Sequence, residues 1–153
     1  MKRRALALTL PLFLVAVALG ATSPHMGTWK LNEAKSKIPA GALKNNTVVY
    51  EAVGDQIKVT VDGVDGSGNA AHNEWTGKFD GKDYAVTGDS TVDTRSYRQI
   101  NSRTLAITNK KDGKVTTSGR IVVSANGKSR TVTTTSTDAK GKKSTTVAFY
   151  DKQ

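Results

Sequence analysis

The chain has 153 residues, with 23 Lys and Arg against 13 Asp and Glu, a net charge of +10 and no Cys. This length fits one domain rather than a large multidomain enzyme, and the lack of Cys excludes disulfides, thiolate metal sites and Cys nucleophiles. Only 37% of the residues are apolar and fourteen are Gly, which indicates a turn-rich protein with a thin core.

The N-terminus has the pattern of a secretory signal. Lys-Arg-Arg at 2–4 precedes an uncharged, mostly apolar run at 5–19, and the small residues Gly20 and Ala21 follow it. The run is shorter than the ~20 residues that cross a bilayer, so a transmembrane anchor is the weaker alternative. We therefore predict a cleaved signal peptide over 1–21, a single domain over 22–153, and export to the periplasm or the extracellular space.

Removal of the signal changes the composition of the protein. Residues 23–153 carry a net charge of +7, and their apolar share falls to about 31%, below the usual globular share. The charge is uneven, with −6 over 45–94 and +10 over 95–153. The basic C-terminal region indicates either a surface that binds polyanions or a solvated barrel surface on which Lys residues keep strand edges from pairing with other chains.

Runs of alternating apolar and polar residues, separated by Asp-Gly and Asn-Gly turns, predict an all-β chain. At most one short helix fits, at 32–44 with Asn32 as its cap, because Pro39 and Gly41 limit it. Ten hairpin-linked strands avoid exposed edges by closing, so we expect a ten-stranded antiparallel up-and-down barrel. The predicted strands are 26–31, 46–53, 56–62, 70–79, 82–87, 92–100, 103–110, 114–124, 128–137 and 143–151.

The interior of this barrel is expected to be partly polar. The segment 128–137 is rich in Thr and has no properly apolar face, and few large apolar residues are available to fill a dry core. We expect a partly hydrated cavity, since barrels of about eight strands can hold one small ligand. The alternative is that the Thr-rich faces lie in solvent over a smaller packed interior.

Two segments resemble a known superfamily. Gly27-Thr28-Trp29 on the first strand resembles the lipocalin signature, and the aromatic last strand, which ends near Lys152-Gln153, is similar to that of fatty-acid-binding proteins. The mature chain thus resembles calycins and secreted bacterial lipocalin-like domains. The resemblance implies a small hydrophobic or amphipathic ligand inside the barrel. It also implies that Trp29 packs against a late-strand Arg, either Arg120 or Arg130.

The match at the ligand site is incomplete. Fatty-acid-binding proteins hold a carboxylate with Arg-x-Tyr on the last strand, and this chain keeps Tyr150 but has Ala148 in place of the Arg. Arg95 and Tyr97 offer the same chemistry on an earlier strand, because residues i and i+2 share a face. With Gly27, Trp29 and Arg130 as structural motif, the expected ligand-binding residues are Tyr50, Trp75, Phe79, Tyr84, Arg95, Tyr97, Arg120, Phe149 and Tyr150.

The sequence gives little support for a metal site or a catalytic site. His72 and Glu74 share a strand face, but a zinc site needs three or four ligands. The loop 62–69 has Gly63 where an EF-hand needs a carboxylate, and no nucleophile elbow or phosphate-binding loop appears. We expect no metal, no cofactor and no enzymatic activity.

The sequence favours an exported, non-enzymatic binding protein for a small hydrophobic or amphipathic molecule. The alternative is a cell-envelope interaction or inhibitor module, which uses the basic C-terminal region against an anionic envelope polymer or the exposed hairpin loops against a protein. Nucleic acid is not an expected partner, because export separates the protein from it.

Overall fold

The computed structural model describes residues 22–153, which form one closed antiparallel barrel. Every strand pairs with its neighbours in the chain, and the last strand pairs with the first. The predicted signal peptide lies outside the described residues. The strands are β1 (Gly27–Leu31), β2 (Lys44–Val53), β3 (Gln56–Val64), β4 (Ala70–Gly77), β5 (Tyr84–Thr87), β6 (Thr94–Asn101), β7 (Thr104–Lys111), β8 (Lys114–Val123), β9 (Ser129–Thr137) and β10 (Lys143–Lys152).

This architecture confirms the prediction of an all-β, ten-stranded up-and-down barrel. The observed strand bounds differ from the predicted ones by at most two residues; β4 ends two residues early, and β5 begins two residues late and is only four residues long. Between these two strands Asp80 forms an isolated antiparallel bridge with Arg98 of β6, while its Oδ1 accepts a hydrogen bond from the backbone of Lys82 and its Oδ2 accepts one from the Tyr84 hydroxyl. β5 consequently makes only two register pairs with each neighbouring strand.

The connection from β1 to β2 holds the one helical turn of the described chain, a 3₁₀ turn at Glu33–Lys35. Asn32 caps it, because its side-chain oxygen accepts a hydrogen bond from the Lys35 backbone at 3.2 Å. The turn ends at Ser36, whose hydroxyl oxygen accepts a hydrogen bond from the Phe149 backbone at 2.9 Å. No helix within 22–153 is long and apolar enough to cross a membrane.

The two ends of the barrel differ. The open end holds the β1–β2 connection and the β3–β4, β5–β6, β7–β8 and β9–β10 turns, and the closed end holds the remaining turns and residues 22–26. The β7–β8 turn at the open end has positive φ at both Asp112 (49°) and Gly113 (73°), as a type I′ hairpin requires. Side chains from five strands fill the closed half, where the fully buried ones are Trp29, Val59, Trp75, Leu105 and Val123.

Candidate functional site

An internal cavity of about 350 Å³ lies along the barrel axis and reaches the open end. Apolar side chains line one part of its wall, including Val48, Val61, Ile107, Ile121 and Val132. Hydroxyl side chains line another part, and these are Thr117, Thr134, Ser136, Ser144 and Thr146. The Thr of β9 divide between the two faces, because Thr134 lies inside while Thr133 is exposed outside.

Arg95, on β6, is buried in the cavity wall and held by two amides. Its Nε donates a hydrogen bond to Asn109 Oδ1 at 2.8 Å, and its Nη1 donates to Asn73 Oδ1 at 3.2 Å. Asn73 and Asn109 belong to β4 and β7, so the guanidinium is positioned from the strands around it. Both partners are neutral, and they therefore orient the positive charge without cancelling it.

Arg130, on β9, is 2% exposed and lies among aromatic rings. Its guanidinium carbon is 4.7 Å from the ring centroid of Trp29, 5.0 Å from that of Tyr50 and 4.9 Å from that of Tyr150. Within residues 22–153 its Nε and Nη1 have no hydrogen-bond partner. Burial of an ion costs several kcal/mol, and cation–π attraction worth about 2 kcal/mol offsets only part of that cost.

An aromatic layer adjoins the cavity, with Tyr50 and Tyr97 lining it and Trp75 and Phe79 packed against them. Tyr97 and Trp75 pack edge to face with ring centroids 4.8 Å apart, and Tyr97 also contacts Tyr50 and Phe79. The Trp75 indole donates a hydrogen bond to the Arg95 carbonyl at 2.8 Å, which ties the layer to the cavity wall. Burial raises the pKa of the Tyr97 hydroxyl far above its ordinary value and that of Tyr150 to about 12.

The side chain of His25 fills the closed end of the barrel. The residue precedes β1 in the N-terminal segment, yet its side chain is 1% exposed and packs edge to face on Phe79. Its carbonyl accepts a hydrogen bond from the Trp29 indole at 2.9 Å. Burial and then the nearby charges of Arg130 and Lys152 lower the pKa of His25 to about 4, so the ring is neutral at pH 7.

The mouth of the cavity lies beneath the β1–β2 connection, where Ile38, Ala42 and Leu43 reach the cavity wall. Leu43 is nevertheless 43% exposed, so it contacts both solvent and cavity. The β1–β2 connection is in close contact with the β3–β4 turn. The contact is so close that a Cβ built on Gly66 would stand 2.0 Å from the Gly41 carbonyl oxygen. Glycine at 66 therefore permits the backbone contact that holds the mouth in shape.

The structure divides the nine expected ligand-binding residues into three groups. Tyr50, Arg95, Tyr97 and Tyr150 line the cavity. Trp75, Phe79 and Tyr84 do not line it; Trp75 and Phe79 pack against Tyr97, and Tyr84 packs on Trp75.

Arg120 and Phe149 do not line the cavity, which corrects their expected position inside the barrel. Side chains alternate along each strand, and on β8 and β10 the neighbours Ile121, Ala148 and Tyr150 point inward. Arg120 is consequently exposed on the outer face. Phe149 is half-buried outside, with the Lys35 ammonium 4.7 Å from its ring centroid.

The structural motif residues meet at the closed end. Of the two candidates for contact with Trp29, it is Arg130 that packs on the indole. Gly27 has φ of +104°, and a Cβ built there would stand 3.1 Å from the Lys152 side chain. Glycine is therefore favoured at 27 by its backbone conformation, while the flexible end of the Lys152 side chain could move to admit a Cβ.

Sequence reasoning missed the two amides that hold Arg95 and the burial of His25. Asn73 and Asn109 each lie at alternating positions that share an inward face with Trp75 and Ile107, which is a signal that strand parity offered. Nothing in the local sequence distinguishes His25 from an exposed residue of the N-terminal tail.

The outer face of β3 and β4 carries the remaining histidine. His72 Nδ1 lies 2.6 Å from Asp62 Oδ1, and its Nε2 lies 3.6 Å from Glu74 Oε1. The hydrogen bond with Asp62 raises the pKa of His72. In the described part of the chain, no three His, Cys, Asp or Glu residues are arranged to hold a metal ion.

The fold and the site together define a class of protein: a closed, ten-stranded antiparallel barrel with an internal cavity that reaches one end, consistent with a calycin-like barrel. No protein-family model matches the chain, and no curated protein matches it.

Proposed function

We propose that this chain is an exported, non-enzymatic binding protein of the lipocalin or fatty-acid-binding type, which holds one small amphipathic molecule inside its barrel. The observation that carries this proposal is the cavity of about 350 Å³, whose wall combines aliphatic side chains with hydroxyls and two arginines. Ligand sites are typically concave, largely apolar and equipped with a few placed polar groups. The volume lies at the small end of the range for such sites.

The mouth supports the same function. Ile38 and Leu43 place apolar side chains at the entrance, and they continue the apolar wall formed by Val61 and Val132. A molecule with an alkyl or aromatic portion gains free energy along this path, since apolar burial contributes about 25 cal/mol per Å².

A pair of neighbouring threonines on β10 provides the test. Thr146 lines the cavity, and Thr145 is exposed on the outer face. Thr146→Trp is expected to fill the cavity and abolish binding, while Thr145→Trp leaves binding unchanged. The measurements are native mass spectrometry of the gently purified protein and calorimetric titration with decanoate and decan-1-ol. A native protein that carries no small molecule and binds neither probe would contradict the proposal.

A second candidate function is attachment to an anionic envelope polymer through the outer face. Arg98 and Arg120 are exposed and occupy one row of the sheet, with Ala106 between them. Neither forms an ion pair with residues 22–153, whereas Lys110 and Lys111 pair with Asp83 and Asp93.

Retention on heparin, with and without added NaCl, tests this surface. An Arg98→Ser, Arg120→Ser double variant is expected to elute at lower salt than the native protein. A variant that changes only the paired Lys110 to Ser is the control. Equal elution of the native and double-variant proteins would exclude this surface.

A further inference from the structure

The hydroxyl side chains of the cavity form a continuous patch, the hydroxyl wall, whose members are Thr117, Thr134, Ser136, Ser144 and Thr146. Ser136 of β9 pairs in register with Thr117 of β8 and with Ser144 of β10. Thr134 pairs with Thr146 in the next inward-facing row. All five lie near the β7–β8 and β9–β10 turns, so the hydroxyl wall belongs to the half of the cavity that reaches the open end.

Most of the hydrogen-bonding capacity of the hydroxyl wall is not used by the described protein. Thr117 and Ser136 share one hydrogen bond, with their hydroxyl oxygens 3.0 Å apart. Within residues 22–153, the hydroxyls of Thr134, Ser144 and Thr146 make no hydrogen bond, although all three line the cavity. Each hydroxyl offers one donor and two acceptor positions, so the wall presents both kinds of group to whatever occupies the cavity.

An amide extends the hydroxyl wall onto the next strand. Asn109 of β7 pairs in register with Thr117 and also lines the cavity. Its amide oxygen accepts a hydrogen bond from the Arg95 Nε, which leaves its amide NH₂ as a donor. No Asp, Glu or Lys is among the described residues of the cavity wall. The groups that the wall presents on β7 to β10 near the mouth are therefore neutral.

The surface across from the hydroxyl wall is apolar. Val61 lies on β3, which stands five strands away from β8 in the ten-stranded ring and therefore faces it across the cavity. Val48 of β2 pairs with Val61 in register, and Ile38 and Leu43 continue this surface to the mouth. The outer half of the cavity is thus polar on one side and apolar on the other.

The layer beneath the hydroxyl wall is apolar as well. On β8, β9 and β10 the next inward-facing row is formed by Ile121, Val132 and Ala148, which pair in register. All three line the cavity. An occupant therefore meets hydroxyl groups near the mouth and aliphatic groups farther in.

From this arrangement we infer that the ligand carries a neutral polyol head group, a sugar ring or an equivalent set of adjacent hydroxyls, which binds the hydroxyl wall near the mouth. Its apolar portion lies deeper, against Ile121 and Val132. The inference rests on the proposed function and specifies the class of ligand.

The hydrogen-bonding pattern favours a polyol over a head group with a single function. Hydroxyls of the ligand both donate and accept, as the hydroxyls of the wall do, whereas a carboxylate only accepts. Neighbouring strands lie about 4.8 Å apart, so the wall offers partners to several ligand hydroxyls side by side. A single alcohol would pair with one of them and displace water from the others without replacing its hydrogen bonds. A sugar ring also has C–H groups on its faces, and these match the apolar surface at Val61.

Calorimetric titration with octyl β-D-glucopyranoside, octan-1-ol and octanoate tests the inference, with the glucoside kept below the concentration at which it forms micelles. The three probes share one alkyl chain and differ in the head group. We expect the glucoside to bind about tenfold more tightly than the alcohol and than the carboxylate, a ratio that corresponds to ~1.4 kcal/mol.

Two double variants assign the effect to the hydroxyl wall. Thr134→Val with Thr146→Val removes two adjacent hydroxyls and keeps the shape of both side chains, so the glucoside is expected to bind about tenfold more weakly and octan-1-ol no more weakly. The matched control is Thr133→Val with Thr145→Val, which makes the same change at exposed positions of the same strands and leaves all three affinities unchanged.

A single variant near the mouth keeps the test independent of any effect on folding. Ser144 is exposed at the start of β10, so Ser144→Ala is expected to weaken the glucoside without a change in Tm. Unchanged glucoside affinity in both Ser144→Ala and the inner double variant would overturn the inference.

The results separate this inference from the proposed function. Binding of octan-1-ol or octanoate that Thr146→Trp abolishes, with the glucoside bound no more tightly than either, would overturn the polyol head group and leave the binding function standing. An equal loss of glucoside and alcohol affinity in the inner double variant would also overturn the polyol head group, because the two threonines would then act only on the shape of the cavity. Failure of all three probes to bind the native protein would overturn both.

Discussion

The guanidinium of Arg130 stacks on the indole of Trp29, with its central carbon 4.7 Å from the ring centroid, and both side chains are almost completely buried. The contact joins the second-to-last strand to the first and therefore acts across the seam where β10 closes the barrel. The same Trp29 donates a hydrogen bond to the carbonyl of His25. Its indole therefore contacts both the residue that fills the closed end and the arginine of the neighbouring strand.

Replacing Arg130 by Ala is expected to lower the free energy of unfolding by ~1 kcal/mol, because the loss of cation–π contacts with three rings and the void left among them outweigh the relief of a buried, unpaired charge. Urea unfolding followed by tryptophan fluorescence measures the change. Arg120→Ala is the control and is expected to alter stability by less than ~0.5 kcal/mol. Equal effects of the two substitutions would show that the stacked guanidinium adds no stability.

The protein is expected to lose stability as the pH falls from about 6.5 to 4, in part through His25. Its pKa is lowered to about 4 in the folded protein, so over this range the unfolded chain takes up a proton that the folded chain does not. The expected loss is ~2–3 kcal/mol, at ~1.4 kcal/mol per pKa unit.

His25→Phe is expected to remove this part of the acid sensitivity when urea midpoints are compared at pH 7, 5.5 and 4. Carboxylates with lowered pKa, such as Asp65 and Asp93, also destabilise the protein in acid, but they contribute equally to both proteins. His72→Gln is the control, since the pKa of His72 is raised and its contribution has the opposite sign. An unchanged pH profile in His25→Phe would contradict the buried, neutral histidine.

Gly119→Ala is expected to destabilise the protein by ~2 kcal/mol or more. A Cβ at this position would lie 2.0 Å from the carbonyl oxygen of Thr133, so β8 and β9 would have to separate. Thermal unfolding measures the loss, with Ser118→Ala, a change at an exposed neighbour, as the control. A shift in Tm no larger than that of the control would show that the two strands tolerate the added methyl group.

Asn109→Asp is expected to increase the stability of the ligand-free protein. The new carboxylate would face the Arg95 Nε, which now lies 2.8 Å from the Asn109 amide oxygen, and would neutralise one cavity charge. Urea unfolding of the variant and of the native protein measures the effect. A variant no more stable than the native protein would argue against an unneutralised charge on Arg95 in the cavity.

The fold was largely predictable from the sequence, because alternation and turn residues act over short distances. The Asp112-Gly113 pair indicates a hairpin turn from the local sequence alone, since both residues take positive φ at low cost. The strand boundaries were predicted to within two residues, and the gap between β4 and β5 is a turn whose Asp80 bridges directly to Arg98 of β6.

The site was predictable only in part. Four of the nine expected ligand-binding residues line the cavity, and parity along β8 and β10 explains why Arg120 and Phe149 lie outside. The expectation that aromatic residues line the cavity was too general, because Trp75 and Phe79 pack against Tyr97 and do not line the cavity themselves.

The sequence by itself determined the number of strands, their order and the hydrophobic pattern that closes them, because these follow from interactions between residues near in the chain. Only the tertiary structure decided that Arg95 and Arg130 are buried without a carboxylate and that His25 is neutral. Those properties depend on which strands become neighbours around the barrel, so the charge balance of the cavity emerges only when β4, β6, β7, β9 and β10 are assembled.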